Sequence, residues 1–177
     1  QITGNYTTSV YEKVSLAAEN NGGSFSVSGS LESSNDFTLF VGSDGDDVIT
    51  NTFGNIVISS GDGNDTIHGS SGKDVVFGGD GVDQIFGNGG DDYLYGGLDS
   101  DLLRGGGGHN HYFTEGSDHI YIDIAGTGVV YSDTSAFSRN TIHMLDLTIS
   151  DLSNLEFVAS SNDLKILEIN VEEKATG

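Results

Sequence analysis

Residues 42–113 form eight consecutive nine-residue units, in one phase and without an insertion. In order they are GSDGDDVIT, NTFGNIVIS, SGDGNDTIH, GSSGKDVVF, GGDGVDQIF, GNGGDDYLY, GGLDSDLLR and GGGGHNHYF. The fourth position is glycine in every unit except the seventh, where Asp99 replaces it. The eighth position is aliphatic in every unit except the last, where it is Tyr112. An uninterrupted short period of this kind predicts a solenoid, in which each unit packs against its neighbours.

The sixth position of the unit carries a carboxylate or an amide in seven of the eight units. Its residues are Asp47, Ile56, Asp65, Asp74, Asp83, Asp92, Asp101 and Asn110. Ca²⁺ is a hard cation that takes six to eight oxygen ligands, which aspartates and backbone carbonyls can supply. Glycines allow the positive φ angles and close chain approach of a tight turn. The units therefore predict calcium-binding turns that alternate with short strands.

The pattern glycine-glycine-x-glycine-x-aspartate-x-hydrophobe-x is similar to the calcium-binding nonapeptide of the RTX family. That family includes secreted haemolysins, proteases, epimerases and adhesins of Gram-negative bacteria. The resemblance covers residues 42–113. It implies an all-β fold, a parallel β-roll (β-solenoid), in which six residues of each unit turn and three form a strand. Two units make one 18-residue coil, so eight units make about four coils.

Stacking of every second unit arranges the sixth positions in two rows. One row contains Asp47, Asp65, Asp83 and Asp101, and the other contains Ile56, Asp74, Asp92 and Asn110. If each neighbouring pair holds one ion, the rows take three and two, or about five calcium ions. The expected carbonyl ligands are Gly45, Gly63, Gly72, Gly81, Gly90 and Gly108. A further ion could bind near Asp118, because Gly116-x-Asp118-x-Ile120 repeats the pattern one residue out of phase.

The segments on either side of the repeat are predicted to be β-rich caps. A short helix is predicted over 8–20, where Val10, Val14 and Leu16 share one face. Strands are predicted over 24–31, 36–41, 119–124, 128–130, 140–149, 154–159 and 163–171. Residues 150–169 resemble the segment that often closes RTX rolls, and we interpret them as a hairpin that covers the open edge. The predicted domains are an N-terminal cap (1–41), the RTX β-roll (42–113) and a C-terminal cap (114–177).

Composition excludes several functional classes. With 6 basic and 27 acidic side chains, the formal charge is 6 − 27 = −21, which opposes binding to nucleic acids and anionic membranes. The absence of cysteine excludes a disulfide scaffold, a thiolate zinc site and a cysteine nucleophile. Apolar runs are only a few residues long, so no membrane span is expected. Neither a His-Glu-x-x-His nor a Gly-x-Ser-x-Gly motif occurs, and we expect no enzyme activity.

The last coil departs from the repeat and is a candidate ligand site. Asn110 beside Asp92 would leave an ion with fewer carboxylates, more uncancelled charge and an open coordination position. Its predicted neighbours are Asp99, His109, His111 and Tyr112, which could contact a peptide carboxylate or a glycan. The alternative, which we favour, is that terminal repeats simply degenerate where the roll meets its cap.

Histidines offer a second metal hypothesis. His109, His111 and His119 could cluster and hold zinc or nickel. We favour the alternative that they occupy exposed, variable positions of the roll.

Two functions follow from the resemblance to RTX proteins. Both take the chain as a non-enzymatic calcium-binding module that is exported unfolded by type I secretion and folds at millimolar calcium, in a secreted or cell-surface protein. In the first, the module serves adhesion and binds a peptide or glycan through its calcium-rich surface. In the second, it is a ligand-free folding and export module of a toxin or extracellular enzyme whose active part lies elsewhere. The oligomeric state stays open.

Overall fold

The computed structural model describes residues 16–17, 23–27, 37–52, 54–123, 126–132, 140–147 and 168–173, and every regular element in these ranges is a β-strand. The strands are β1 (Leu16–Ala17), β2 (Gly23–Val27), β3 (Phe37–Val41), β4 (Asp47–Asn51), β5 (Asn55–Asp62), β6 (Thr66–His68), β7 (Val75–Asp80), β8 (Gln84–Phe86), β9 (Tyr93–Gly97), β10 (Leu102–Arg104), β11 (Gly108–Thr114), β12 (His119–Ile122), β13 (Gly126–Ser132), β14 (Thr141–Leu147) and β15 (Glu168–Glu173). The all-β prediction is confirmed.

The strands form two parallel sheets that the chain visits in turn. One sheet has seven strands in the order β1-β3-β5-β7-β9-β11-β13, and the other has eight in the order β15-β14-β12-β10-β8-β6-β4-β2. From β2 to β14 each strand lies in the sheet opposite the one before it. Neighbouring strands within a sheet are therefore one full coil apart, which is the architecture of a parallel β-solenoid and agrees with the predicted β-roll.

The register shows the 18-residue coil directly. In the seven-stranded sheet, Phe37 pairs with Asn55 and Thr114 with Ser132, both 18 residues apart. In the eight-stranded sheet the spacing is also 18 between Val48 and Thr66. It changes beyond the repeat, to 17 for Leu102↔His119, 22 for His119↔Thr141 and 27 for Thr141↔Glu168. These differences in length lie between the strands, so the sheets continue while the loops differ in length.

The core is a stack of side chains from the eighth position of each unit. All eight are at most 1% exposed: Ile49, Ile58, Ile67, Val76, Ile85, Leu94, Leu103 and Tyr112. Phe40, Ile120 and Ile142 extend the same cluster beyond the repeat, and Ile56 joins it from a sixth position. The eighth position of every unit therefore faces the interior of the roll. Parallel sheets buried in this way place one apolar residue of each unit against its counterparts one coil away.

The flanking segments add strands to the same two sheets. Strands β2 and β3 match the predictions over 24–31 and 36–41, and β12, β13 and β14 match those that begin near residues 119, 128 and 140. Leu16 and Ala17 lie in β1, so the predicted helix over 8–20 is wrong at these two residues, because pairing with β3 determines their conformation. The rest of that helix, the strand over 154–159 and most of the hairpin over 150–169 lie outside the described residues. Among the described residues, no helix could span a membrane.

Candidate metal centre

The sixth-position aspartates are buried in the roll, at or just before the start of a strand. Asp74, Asp83 and Asp92 are fully buried, and Asp47, Asp65 and Asp101 are each 1% exposed. Asn110 is also fully buried. A buried carboxylate costs free energy unless hydrogen bonds or a cation compensate it. The roll therefore contains two rows of acidic groups that require partners.

One oxygen of each carboxylate in the stacked pairs bridges consecutive coils. In the first row the backbone N–H groups of Asp47, Asp65 and Asp83 donate to Oδ1 of the next aspartate at 2.7, 2.8 and 2.8 Å. In the second row those of Ile56, Asp74 and Asp92 donate to Oδ1 of Asp74, Asp92 and Asn110 at 2.9, 2.9 and 3.0 Å. Each bond joins residues 18 apart, so the side chains hold adjacent coils in register.

The second oxygen, Oδ2, has no hydrogen-bond donor in four of these aspartates. Oδ2 of Asp65, Asp83, Asp92 and Asp101 is buried and has no hydrogen-bond partner. The first aspartate of each row differs, because Oδ2 of Asp47 accepts from the Ser43 N–H at 2.8 Å and Oδ2 of Asp74 accepts from the Ser70 N–H at 2.7 Å. Unpartnered buried carboxylate oxygens are the atoms that a hard cation would bind.

Glycine at the first position of the unit makes room for these oxygens. A Cβ atom added to Gly87 would collide with Oδ2 of Asp92, and one added to Gly78 would collide with Oδ2 of Asp83. Any side chain at these positions would fill the space beside the unpartnered oxygen. The turn-forming role of glycine was predictable from the sequence, whereas this second role was missed. Glycine stands five residues before every sixth-position aspartate except Asp65, which Ser60 precedes, and that recurrence could have indicated it.

Backbone geometry explains the glycines of the loops. Gly81 has φ +123°, and a Cβ added there would overlap the carbonyl oxygen of Gly63 one coil away. Asp99, which replaces glycine in the seventh unit, is one of two non-glycine residues with positive φ among the described residues, at 75°. The turn therefore requires the left-handed conformation even where the sequence departs from glycine.

Burial shifts the acid–base behaviour of the rows. Desolvation raises the pKa of Asp83, Asp92 and Asp101 to about 7 and that of Asp74 to about 6, and it raises the pKa of Asp65 as well. Neighbouring aspartates add to the shift, since the charge of Asp65 further raises the pKa of Asp83. Without a cation, protons therefore compete for these sites near neutral pH. The charge of a bound divalent ion would compensate both the cost of desolvation and the repulsion between the aspartates.

The donor set favours calcium over transition metals. In the part of the chain that the structure describes, no three histidine, aspartate or glutamate side chains converge as a metal-binding group. An ion in the rows must therefore complete its shell with backbone carbonyls of the glycine loops. Carboxylate and carbonyl oxygens in a flexible shell suit Ca²⁺, whereas Mg²⁺ demands a near-ideal octahedron.

Comparison with known families agrees with this chemistry. A family model of the RTX calcium-binding nonapeptide repeat, in 4 copies, matches residues 57–85 and 77–112. The chain contains RTX calcium-binding repeats. Over the matched residues these repeats imply a calcium-binding RTX module, and RTX repeats are characteristic of secreted bacterial proteins. Comparisons with curated proteins and with solved structures found no match.

The candidate ligand residues of the last coil do not share one surface. Asp99 and His109 are exposed and His111 is half-buried, whereas Asn110 and Tyr112 are buried. The Tyr112 hydroxyl accepts a hydrogen bond from the Gly105 N–H at 3.2 Å, and burial raises its pKa to about 12. Asn110 acts as a neutral member of the row. Tyr112 therefore belongs to the core stack and is not presented to a surface ligand.

The three histidines considered for zinc or nickel are not brought together. The rings of His109 and His111 meet edge to face on β11, with centroids 5.4 Å apart. His119 lies in β12 of the other sheet, where its Nδ1 is 3.1 Å from Nε2 of His143. The three-histidine hypothesis is therefore wrong.

The first row continues beyond the repeat. Oδ1 of Asp118 accepts the Asp101 N–H at 3.0 Å, and Oδ1 of Asn140 accepts the Asp118 N–H at 2.9 Å. Asp118, which the out-of-phase motif indicated, is fully buried like the other members. Asn140 was missed because it lies 22 residues after Asp118, outside any period that the repeat suggests.

Proposed function

We propose that this RTX module folds on binding calcium after export and serves a secreted or cell-surface bacterial protein as a non-enzymatic ligand-binding part. The observation that carries the proposal is the set of buried, unpartnered carboxylate oxygens in the two rows, on Asp65, Asp83, Asp92 and Asp101. Calcium supplies the positive charge that these oxygens lack, and its binding free energy becomes folding free energy.

The proposed ligands are the two rows and the glycine loops between them. The side chains are Asp47, Asp65, Asp74, Asp83, Asp92, Asp101 and Asn110, and the carbonyls are those of Gly45, Gly63, Gly72, Gly81, Gly90 and Gly108. About five ions would change the formal charge from −21 to about −11 (−21 + 10). Millimolar calcium outside the cell would saturate such sites, whereas a chain in the cytoplasm would remain expanded by its own charge.

A row of exposed aromatic rings favours a ligand-binding role. Phe77, Tyr95, Phe113 and Tyr131 stack along the outer face of the seven-stranded sheet, with successive centroids 4.5, 4.2 and 4.6 Å apart. We call these four residues the aromatic row. Phe77 is 40% exposed and Tyr131 is 46% exposed. An exposed apolar stripe is typical of a recognition surface and suits the apolar face of a sugar or an extended peptide.

The alternative is a folding and export module with no ligand of its own. A screen of glycans and carboxylate-bearing peptides, with calcium and with chelator, separates the two functions. Binding that requires calcium and is lost in a Phe77→Ser/Tyr131→Ser variant supports the ligand-binding role. Absence of any calcium-dependent binding across the screen favours the alternative. A chain whose circular dichroism is unchanged by verified calcium removal would contradict both.

A further inference from the structure

Two histidines face each other on the outer surface of the eight-stranded sheet, beyond the last RTX unit. Nδ1 of His119 lies 3.1 Å from Nε2 of His143, and the Tyr121 ring stacks on His143 at 4.3 Å with planes 7° apart. We propose that this histidine pair is a second metal site, selective for a borderline divalent cation such as Zn²⁺ or Cu²⁺ and separate from the calcium rows. The proposal does not depend on the proposed ligand-binding role.

The distance between the two nitrogens matches the bite of one metal ion. With metal–nitrogen bonds of about 2.0–2.1 Å, two imidazoles on a tetrahedral ion are about 3.3 Å apart, and two at a square-planar right angle are about 2.9 Å apart. The observed 3.1 Å lies between these values. Without a metal ion, the same distance is that of a hydrogen bond between the two rings, and a bound ion would replace its proton.

The surroundings of the histidine pair favour the binding of a cation. The stacked Tyr121 ring limits the orientation of His143, which reduces the entropy lost on metal binding. Arg104 is the register partner of Tyr121, and its Nε donates to Asp123 at 2.9 Å, so the carboxylate of Asp123 offsets its positive charge. The chain as a whole is strongly anionic and attracts cations.

The pair is chemically and spatially distinct from the calcium rows. Asp118 is fully buried and faces the interior, while the adjacent His119 is exposed on the opposite side of β12. Imidazole nitrogens favour zinc, copper and nickel, whereas calcium selects oxygen ligands. Calcium loading orders the strands that carry the pair without occupying it. The open positions of the metal would be filled by water or by an acceptor group of a partner.

The test uses the full chain, without an affinity tag and saturated with calcium. Zn²⁺ binding is measured by isothermal titration calorimetry, and Cu²⁺ binding by electron paramagnetic resonance, which counts the coordinating nitrogens. We expect one equivalent of metal and two coordinating nitrogens. His119→Gln and His143→Gln should each weaken binding by at least about tenfold, because the second bond of a chelate forms at high effective concentration.

Matched controls exclude a general effect of removing an imidazole. His68, which stacks on Phe86 in the same sheet with centroids 4.8 Å apart, is not near the pair, so His68→Gln should bind as the wild type does. Tyr121→Phe keeps the stacked ring and should also bind normally. Circular dichroism with calcium shows whether each variant forms the roll. Single-nitrogen coordination, binding that survives His143→Gln, or an equal loss in His68→Gln would overturn the proposal.

Discussion

The calcium-free chain is expected to form the roll in mild acid and to lose it as the pH rises. The perturbation is a pH change from 8 to 5 in the presence of chelator. Asp83, Asp92 and Asp101 have a folded-state pKa of about 7, against an ordinary value of 3.8. A raised folded-state pKa means that the folded chain binds the proton more tightly than the unfolded chain does. The associated stability is complete below pH ~4 and is lost as the pH rises through ~7.

The size of the effect follows from the shifts. A shift from 3.8 to about 7 is about 3 pKa units, and each unit corresponds to ~1.4 kcal/mol, so each aspartate contributes roughly 4 kcal/mol. The three shifts are not independent, because the charge of Asp83 contributes to the raised pKa of Asp101, so the total is smaller than three times this value. Several kcal/mol is still a large part of the stability of a typical domain. At pH 8 without calcium, the ionised rows should therefore keep the chain unfolded. Calcium should restore folding at that pH by replacing the protons.

The assay is far-UV circular dichroism with size-exclusion chromatography, down to pH 5 so that the chain stays above its pI of about 4.1. We expect β-structure to appear, and the chain to become compact, with a midpoint between pH 5 and 7. The matched control is Asp83→Asn/Asp92→Asn/Asp101→Asn, which follows the example of Asn110, whose amide already occupies this position in the row. This variant should fold more readily without calcium at pH 8 and lose most of the pH dependence. A calcium-free wild type that is folded at pH 8, or a variant with unchanged pH dependence, would refute the reasoning.

Three further predictions concern single positions. Asp83→Ala should raise the calcium concentration at the midpoint of folding more than Asp47→Ala does. Asp83 forms hydrogen bonds to both adjacent coils, whereas Asp47 is at the end of the row and its Oδ2 already accepts from Ser43. Equal midpoints in a calcium titration would contradict this prediction. Ile56→Asp should complete a pair with Asp74 and add one ion, counted by equilibrium dialysis; an unchanged count would argue against paired sites. Gly87→Ala should weaken calcium binding strongly, because its Cβ collides with Oδ2 of Asp92. The Cβ of Gly107→Ala meets nothing within 4 Å, so this control should change stability by less than about 0.5 kcal/mol. Similar effects in the two variants would contradict the proposed role of the first-position glycine.

The sequence predicts the parts of the roll that the period controls. The inward side chains, the two aspartate rows and the parallel coils all follow from positions six and eight of an unbroken nine-residue unit. Tyr112 illustrates the strength of this rule. Its place at the eighth position of the unit indicates an inward side chain, whereas its aromatic ring suggested a contact with a ligand. In the structure Tyr112 is buried, as its position in the unit indicates.

Beyond the repeat, the sequence carries less information because the coils are no longer equal in length. The spacing between paired strands becomes 17, then 22 and then 27 residues. A search for a fixed period therefore does not find the next member of a row. Asp118 could still be found because it is displaced by one residue, whereas Asn140 could not. At the other end, the short apolar segment around Leu16 has a spacing that suits a helix, but pairing with β3 overrides that local preference.

Sharing of carboxylates links the sites of a row to one another. The interior aspartate Asp83 uses Oδ1 to accept the N–H of Asp65, and its own N–H donates to Asp101, so any ion that orders Asp83 also orders the coils on both sides. The core contributes one eighth-position side chain per nine residues, and the glycine-rich turns lose much conformational entropy on folding. A coil therefore gains little stability alone and much from an ordered neighbour, as in other repeat proteins. We therefore expect calcium binding and folding to proceed together over a narrow range of calcium concentration, which is the response that the proposed folding after export requires.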